Sequence, residues 1–479
     1  MKIVNKLAKL IEEKRLQNVC LGLQIIFSVV IFAMLSGGIG IDYDEAFSWD
    51  VVVNHDVSGI LAATAADVHP PLYYLIVKAS FAVFGESMKV MLWTSVFPVI
   101  LGMILAAIFI RRRWGFGAAV LFNLAYGFAP FILHYNLNLR MYSWMDLFVL
   151  GVILTGYEMV SDEQCKVWHF VSLLVFSLLA VYTQYFAVLP IVVCYAWIFV
   201  SLVRRKDKKG IVGFLGVGLL DVVFYIPWLV YGMKNMGIGT GGSRAGYEYL
   251  FKPADIFAEL FGTNLENGGL MAMVLFVIAV VMFVVLRKKY SRVEKSFLIM
   301  LLVNTVFCWY FSQWLGSLNG HFFASRYVIF CLMFVWIFLA IVYSRCNVGV
   351  SVLFSLWCVE LCLSSFLVEK AYEYDTTPLM PQTVAFIDAN VEPDAVIVYD
   401  YDRGFKVIWQ YYMPGHEFIY FDDLNLEELE GKTFWVINLA GADLSQDDVD
   451  RYSLEVEHNP GMGFMGMERF DLWKVSANK

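Results

Sequence analysis

The sequence predicts a polytopic α-helical membrane protein that carries a small α/β domain at its C-terminal end. Three observations predict it. Hydrophobic residues make up 59% of the chain and charged residues only 16%, a balance far from that of soluble globular domains. Apolar runs of about 18 residues or more, each long enough to cross a hydrocarbon core about 30 Å thick, recur as far as residue 368. The composition then changes abruptly, with 22 acidic against 8 basic residues from Glu369 to Lys479. The expected division is therefore a transmembrane domain over 1–368 and an extracytoplasmic α/β domain over 369–479.

The first apolar run, Asn18 to Gly40, is interrupted by little but Gln24. It exceeds the about 7–15 apolar residues of a signal peptide, and further spans follow it, so it reads as a retained helix. Lys and Arg then set the topology. Met1–Gln17, Arg111–Arg113, Ser161–Lys166, Arg204–Lys209, Arg287–Lys295 and Ser344–Asn347 hold 20 of the 35 basic residues and mark the cytoplasmic side. Spans alternating between them fall near 18–40, 90–110, 114–132, 141–160, 167–183, 186–203, 211–231, 269–286, 296–315, 327–343 and 348–368. Eleven crossings of the cell membrane put the N-terminus in the cytoplasm and the tail outside.

Between the first two spans lies an outer loop, 41–89. If Leu72–Phe84 within it also crossed, Arg111, Arg112 and Arg113 would emerge on the outer face, so this apolar stretch, which contains Lys78, reads as an interfacial or re-entrant helix. The eight cysteines all fall in expected spans or cytoplasmic turns, which leaves the outer parts no disulfide framework. In the tail, strand-like runs at Ala395–Tyr399, Glu417–Phe421, Thr433–Leu439 and Phe470–Val475 alternate with a helix-like Arg403–Met413 and a polar stretch near Asp443–Arg451.

The chemistry collects at one membrane face. Asp44, Glu45, Asp67, His69, Asn136, Asn138, Arg140, Tyr142, Tyr182, Gln184, His321, Arg326 and Tyr327 all come out at or just beyond the outer ends of expected spans. A carboxylate at bilayer depth costs about 2.5–3.5 kcal/mol even on a lenient scale, so these groups face water, a polar cavity or a partner. Carboxylates with arginines at one face suit a phosphate held by cations and an acceptor activated by a base. Asp42 and Asp50 read as solvated loop charges, and the glycine-rich Gly237–Gly242 lacks the GK[ST] of a phosphate loop.

Five motifs in order carry a resemblance: DEA after the first span, HPPLYY with a short apolar helix ending in Phe84-Gly85, LRMYSW (Leu139–Trp144), VYTQYFA (Val181–Ala187) and SRY (Ser325–Tyr327). Together they resemble the bacterial branch of the type C (GT-C) glycosyltransferases, the dolichyl-phosphate-mannose-protein mannosyltransferase-like enzymes and their aminoarabinose transferase relatives. The resemblance covers about residues 18–370. It implies a polyprenyl-phosphate sugar donor, transfer on the outer face with inversion, Asp44 as the catalytic carboxylate with Glu45 beside it, and donor or acceptor contacts from Asp67, His69, Arg140, Tyr142, Tyr182, Gln184, Arg326 and Tyr327. Asn136 and Asn138 stand where members often carry an acidic residue.

No cofactor is required by the sequence. A divalent cation bridging Asp44, Asp67 and a phosphate is compatible with hard oxygen ligands. The partners expected are the lipid bilayer, the lipid-linked donor and a glycan, lipid or protein acceptor; nucleic acid is not among them. A transporter or flippase of lipid-linked saccharides would use the same anionic contacts without bond chemistry, but would be expected to gather its charges near the bilayer midplane.

Overall fold

The computed structural model describes residues 13–36, 41, 43–67, 69–235, 266–318, 324–376, 379–393, 395–400, 405–430, 432–438, 441, 444–464 and 467–477. The chain forms two compact units, one built from Met1–Ser36 and His55–Leu367, the other from Gly37–Asn54 and Val368–Lys479.

The first unit is helical. Among the described residues, Lys14–Leu35, Met88–Trp114, Tyr142–Ser161, Tyr185–Arg205, Lys208–Asn235, Arg292–Gly316 and Val348–Lys370 are long and apolar enough to cross a membrane. Phe116–Phe128 and Pro130–Leu137, bent by 57°, make an eighth if they form one span. Shorter apolar helices occupy Val167–Thr183, Met273–Val285 and Phe330–Ser344 at other expected crossings, and Leu72–Phe84 is likewise a short helix, of 13 residues. Close helix approach relies on small residues, as expected where lipid removes the hydrophobic drive between helices. A Cβ on Gly151 would lie 2.5 Å from the Phe176 ring, so only glycine lets those two helices meet at this distance.

Prolines interrupt the hydrogen-bond ladders of these helices, and side chains from other segments bond to carbonyls beside them. A proline inside a helix supplies no N–H to the carbonyl four residues earlier, and in lipid that carbonyl needs another donor. Pro98 strands Thr94 O, which accepts from Trp144 Nε1 at 2.9 Å. Beside it, Ser143 Oγ donates to Ser95 O. Pro130 strands Tyr126 O, which accepts from Asn136 Nδ2 at 3.1 Å, and the same amide reaches Gly127 O at 3.3 Å. Next to Pro227, Tyr182 Oη donates to Phe224 O at 2.7 Å.

The second unit holds a five-stranded sheet: β1 (Val396–Tyr399), β2 (Glu417–Tyr420), β3 (Phe434–Asn438), β4 (Leu454–Phe464) and β5 (Met467–Ala477), in the order β2-β1-β3-β5-β4. The first three are parallel, with Val396 opposite Glu417 on one side and Phe434 on the other. β5 runs antiparallel to β3, pairing Phe434 with Val475, and β4 completes a hairpin with it. The parallel strands are continuous apolar runs, VIVY and FWVIN, as strands covered on both faces must be. The helix Lys406–Tyr412 joins β1 to β2 and buries Ile408 and Trp409, the latter stacked on Phe418 of β2 with ring centroids 6.2 Å apart. The strand β4 has no counterpart in the sequence reading. Its Asn459-Pro460-Gly461 looks like a turn, and proline is tolerated there because β4 lies at the sheet edge.

Candidate active site

In the helical unit the site grows from the turn between the helices Val57–Ala66 and Leu72–Phe84. Asp67 caps the first helix, its N–H donating to Ala63 O at 3.1 Å. Pro70 disfavours the helical conformation at His69, so the chain leaves the helix there. The imidazole turns back to Asp67, with Nδ1 2.9 Å from Oδ2. The His69 side chain is 7% exposed and that of Asp67 28%, so the ring is enclosed while the carboxylate reaches the surface.

Arg140 enters this turn from the segment before the helix Tyr142–Ser161 and is 2% exposed. Its Nη2 lies 3.4 Å from both ring nitrogens of His69, so it is not aimed along a single lone pair, and its Nη1 donates to Tyr74 Oη at 3.3 Å. Tyr74 packs edge-on against Tyr73, whose hydroxyl meets Ser95 Oγ at 3.1 Å. On the other side of His69 stands Tyr327, edge-on at 6.3 Å between centroids, itself stacked on Phe186 at 5.5 Å. The Arg326 guanidinium lies 5.6 Å from the Tyr327 ring centre. The HPPLYY, LRMYSW, VYTQYFA and SRY segments therefore meet at one place: a buried guanidinium, an imidazole and a carboxylate walled by tyrosines.

The remaining residues singled out in the sequence are placed as follows. Tyr142 is buried and packs edge-on against Tyr135 at 5.2 Å. Gln184 is buried at the end of Val167–Thr183, where its N–H donates to Ala180 O at 3.0 Å. The Tyr182 ring lines a largely apolar cavity of about 460 Å³ with Leu61, Pro71, Leu75, Trp228 and Tyr231. Asn136 spends its amide on the proline-bent helix pair. Asp42, His321 and Gly237–Gly242 lie outside the described residues. Tyr74, Ser95 and Phe186 brace the cluster and were not singled out in the sequence; the only trace of Tyr74 was its place in HPPLYY.

Asp44 and Glu45 belong to the second unit. They occupy the first turn of the helix Tyr43–Asn54, where carboxylates complement the helix dipole. Glu45 is 3% exposed, Asp44 is partly exposed, and Ser48 Oγ donates to Asp44 O at 2.9 Å. Among the described residues no group of three His, Cys, Asp or Glu side chains converges as a metal site.

The helices Met88–Trp114 and Tyr142–Ser161 begin beside this cluster and end at a second charged group. There Glu158, its side chain 3% exposed, accepts from Arg113 Nε at 2.6 Å and also pairs with Arg112, while Asp162 accepts from Lys166 at 2.7 Å. Sixteen residues of helix separate Tyr142 from Glu158, roughly 24 Å at about 1.5 Å per residue. The Arg140 cluster and this ion-paired group thus lie at opposite ends of the same helices.

The architecture is the GT-C fold, that of membrane-embedded glycosyltransferases of type C. ArnT from Cupriavidus metallidurans has it: its apo structure aligns with a TM-score of 0.60 at 12% identity over 95% of this chain and 98% of that one. The same enzyme bound to undecaprenyl phosphate aligns with a TM-score of 0.61 at 11% identity over 94% and 97%. At such identities the likeness is one of fold. The sequence adds a family signature: residues 68–231, which contain the His69 turn and Arg140, match the family "Dolichyl-phosphate-mannose-protein mannosyltransferase". No curated protein sequence matches the chain.

Proposed function

We propose that this protein is an integral-membrane glycosyltransferase that moves a sugar from a polyprenyl-phosphate donor to an acceptor hydroxyl on the outer face of the membrane. The single observation that carries the reading is the enclosed Arg140–His69–Asp67 cluster within the segment that matches the mannosyltransferase family. A guanidinium beside an imidazole offers several N–H donors of the kind that hold phosphate oxygens, and a lipid phosphate is an anion that a bilayer can deliver. Support for the donor class comes from ArnT, which shares the fold and whose structure holds undecaprenyl phosphate.

In this reading His69, Arg140 and Arg326 neutralise the departing phosphate, and Tyr327 orients it. The acceptor oxygen attacks the anomeric carbon from the side opposite the phosphate, its proton passes to the Asp44 carboxylate, and the bond from carbon to phosphate oxygen breaks with its electron pair on the phosphate. One displacement inverts the anomeric centre. Glu45 is the buried acidic neighbour of Asp44 in the same helix turn. A divalent cation would add charge at the phosphate through hard oxygen ligands such as Asp67 or Asp44. The acceptor is a glycan, lipid or protein, and the sugar a hexose or pentose. The N-terminus is assigned to the cytoplasm and the acidic domain to the outside, so a reporter fused after Lys209 reads cytoplasmic and one after Lys479 external.

The deciding experiment presents the purified chain with a panel of polyprenyl-phosphate hexoses and pentoses and measures release of polyprenyl phosphate. Release from at least one donor is expected. No release from any, together with translocation of lipid-linked saccharide in proteoliposomes, would replace the transferase by a transporter.

A further inference from the structure

The helix that carries Asp44 is short, and what holds it is unexpected. Tyr43–Asn54 has 12 residues, a length at which an isolated helix is marginal in water, so its position depends on what it packs against. Within its own unit it packs on the helix Lys406–Tyr412, more than 350 residues away, and the described contacts bracket Asp44. Three residues before it, Ile41 N–H donates to Tyr412 Oη at 3.3 Å. One residue before it, Tyr43 stacks on Phe405 with centroids 6.5 Å apart and planes 20° apart. Five residues after it, Trp49 meets Tyr411 edge-on at 5.3 Å. The supporting helix is fixed in turn, because Ile408 and Trp409 are buried and Trp409 stacks on Phe418 of the sheet.

From this geometry we infer that Phe405, Tyr411 and Tyr412 of the acidic C-terminal domain are positioning residues for the reaction, setting the placement of the Asp44 carboxylate through the helix Tyr43–Asn54. The inference rests on the reading of Asp44 as the base. The domain then serves the reaction through the placement of Asp44, which these three side chains set from within the same unit. Displacing a catalytic group by about 1 Å can cost about 10²-fold in rate. The residues assigned to the donor phosphate, His69, Arg140 and Arg326, lie in the helical unit, so loosening these contacts lowers turnover and spares donor recognition.

The test uses the full chain in nanodiscs and follows polyprenyl-phosphate release from the donor that the unaltered protein accepts. Trp49→Ala and Tyr411→Ala are expected to lower kcat by about ten- to a hundredfold with the donor KM within about twofold, and Trp49→Phe, which keeps an aromatic edge, to recover most of the rate. Should the alanine variants fail to fold, Tyr412→Phe decides, since it removes only the hydroxyl that accepts from Ile41; a severalfold lower kcat at unchanged KM is expected there. A kcat within twofold of the unaltered protein in folded variants, or a KM that rises in step with the fall in kcat, overturns the inference. Inactivity of the unaltered protein on every donor would instead sink the transferase reading, a distinguishable failure.

Discussion

The Asp67 carboxylate and the His69 imidazole, two residues apart, face each other at 2.9 Å with the ring enclosed and the carboxylate partly exposed. A carboxylate so placed fixes the orientation of the ring beside Arg140. Hydrogen bonds to charged groups contribute about 1.5–3 kcal/mol. Asp67→Asn, which keeps the shape and removes the charge, should therefore weaken donor binding about tenfold or more, measured by competition with free polyprenyl phosphate. Unchanged affinity would reduce the pair to a turn-capping contact.

Asp44→Asn should abolish sugar transfer while leaving expression and donor binding intact, because the amide keeps the shape and loses the base. Loss of a general base costs about 10²–10⁴-fold. Asp42→Asn, two residues away, is the control and should retain most activity. A dead Asp42→Asn with an active Asp44→Asn would shift the register of the DEA motif.

Glu158 tests the opposite end of the helices. Its enclosed carboxylate serves both Arg112 and Arg113, and hydrogen bonds to charged groups contribute about 1.5–3 kcal/mol. Glu158→Gln should lower the thermal unfolding midpoint markedly while the molecules that remain folded keep normal turnover. Arg112→Gln, whose side chain is 53% exposed, should have a much smaller effect.

In the C-terminal domain, hydrogen bonds from Lys474 Nζ at 2.6 Å and Trp435 Nε1 at 2.7 Å hold the Glu392 carboxyl down to about 2. A depressed carboxyl stabilises the fold fully above its unfolded value, about 4.3, and loses that contribution as pH falls through the folded value. Hydrogen exchange of the β3 and β5 amides should therefore be faster in Glu392→Gln than in the unaltered chain at pH 7, with the difference fading toward pH 2. Because Glu392 is half exposed, the effect should be modest.

The helices were legible because apolar runs bounded by Lys and Arg state both their length and their ends. The repair of their ladders was not, since Pro98 is visible in the sequence while the indole that rescues Thr94 O comes from Trp144, 50 residues from that carbonyl. The motif segments led to Asp67, His69, Arg140 and Tyr327, which the fold gathers from widely separated stretches. Asn136 stood where an acidic residue was expected, and the structure gives its amide a backbone task instead. Nothing local announced that the DEA helix packs with the acidic tail, although Tyr43 and Trp49, the rings that make the contact, stand in plain sight beside Asp44. β4 was hidden by Pro460 and Gly461, which mimic a turn.

The union of residues 37–54 with residues 368–479 in one compact body means that this body is written in two instalments, separated by the whole helical unit. Neither stretch completes it alone. A C-terminal fragment beginning at Val368 would lack Tyr43 and Trp49, the rings that pack on Phe405 and Tyr411. Synthesis of the chain therefore has to pass through Leu367 before the helix Tyr43–Asn54 can find the surface it packs on.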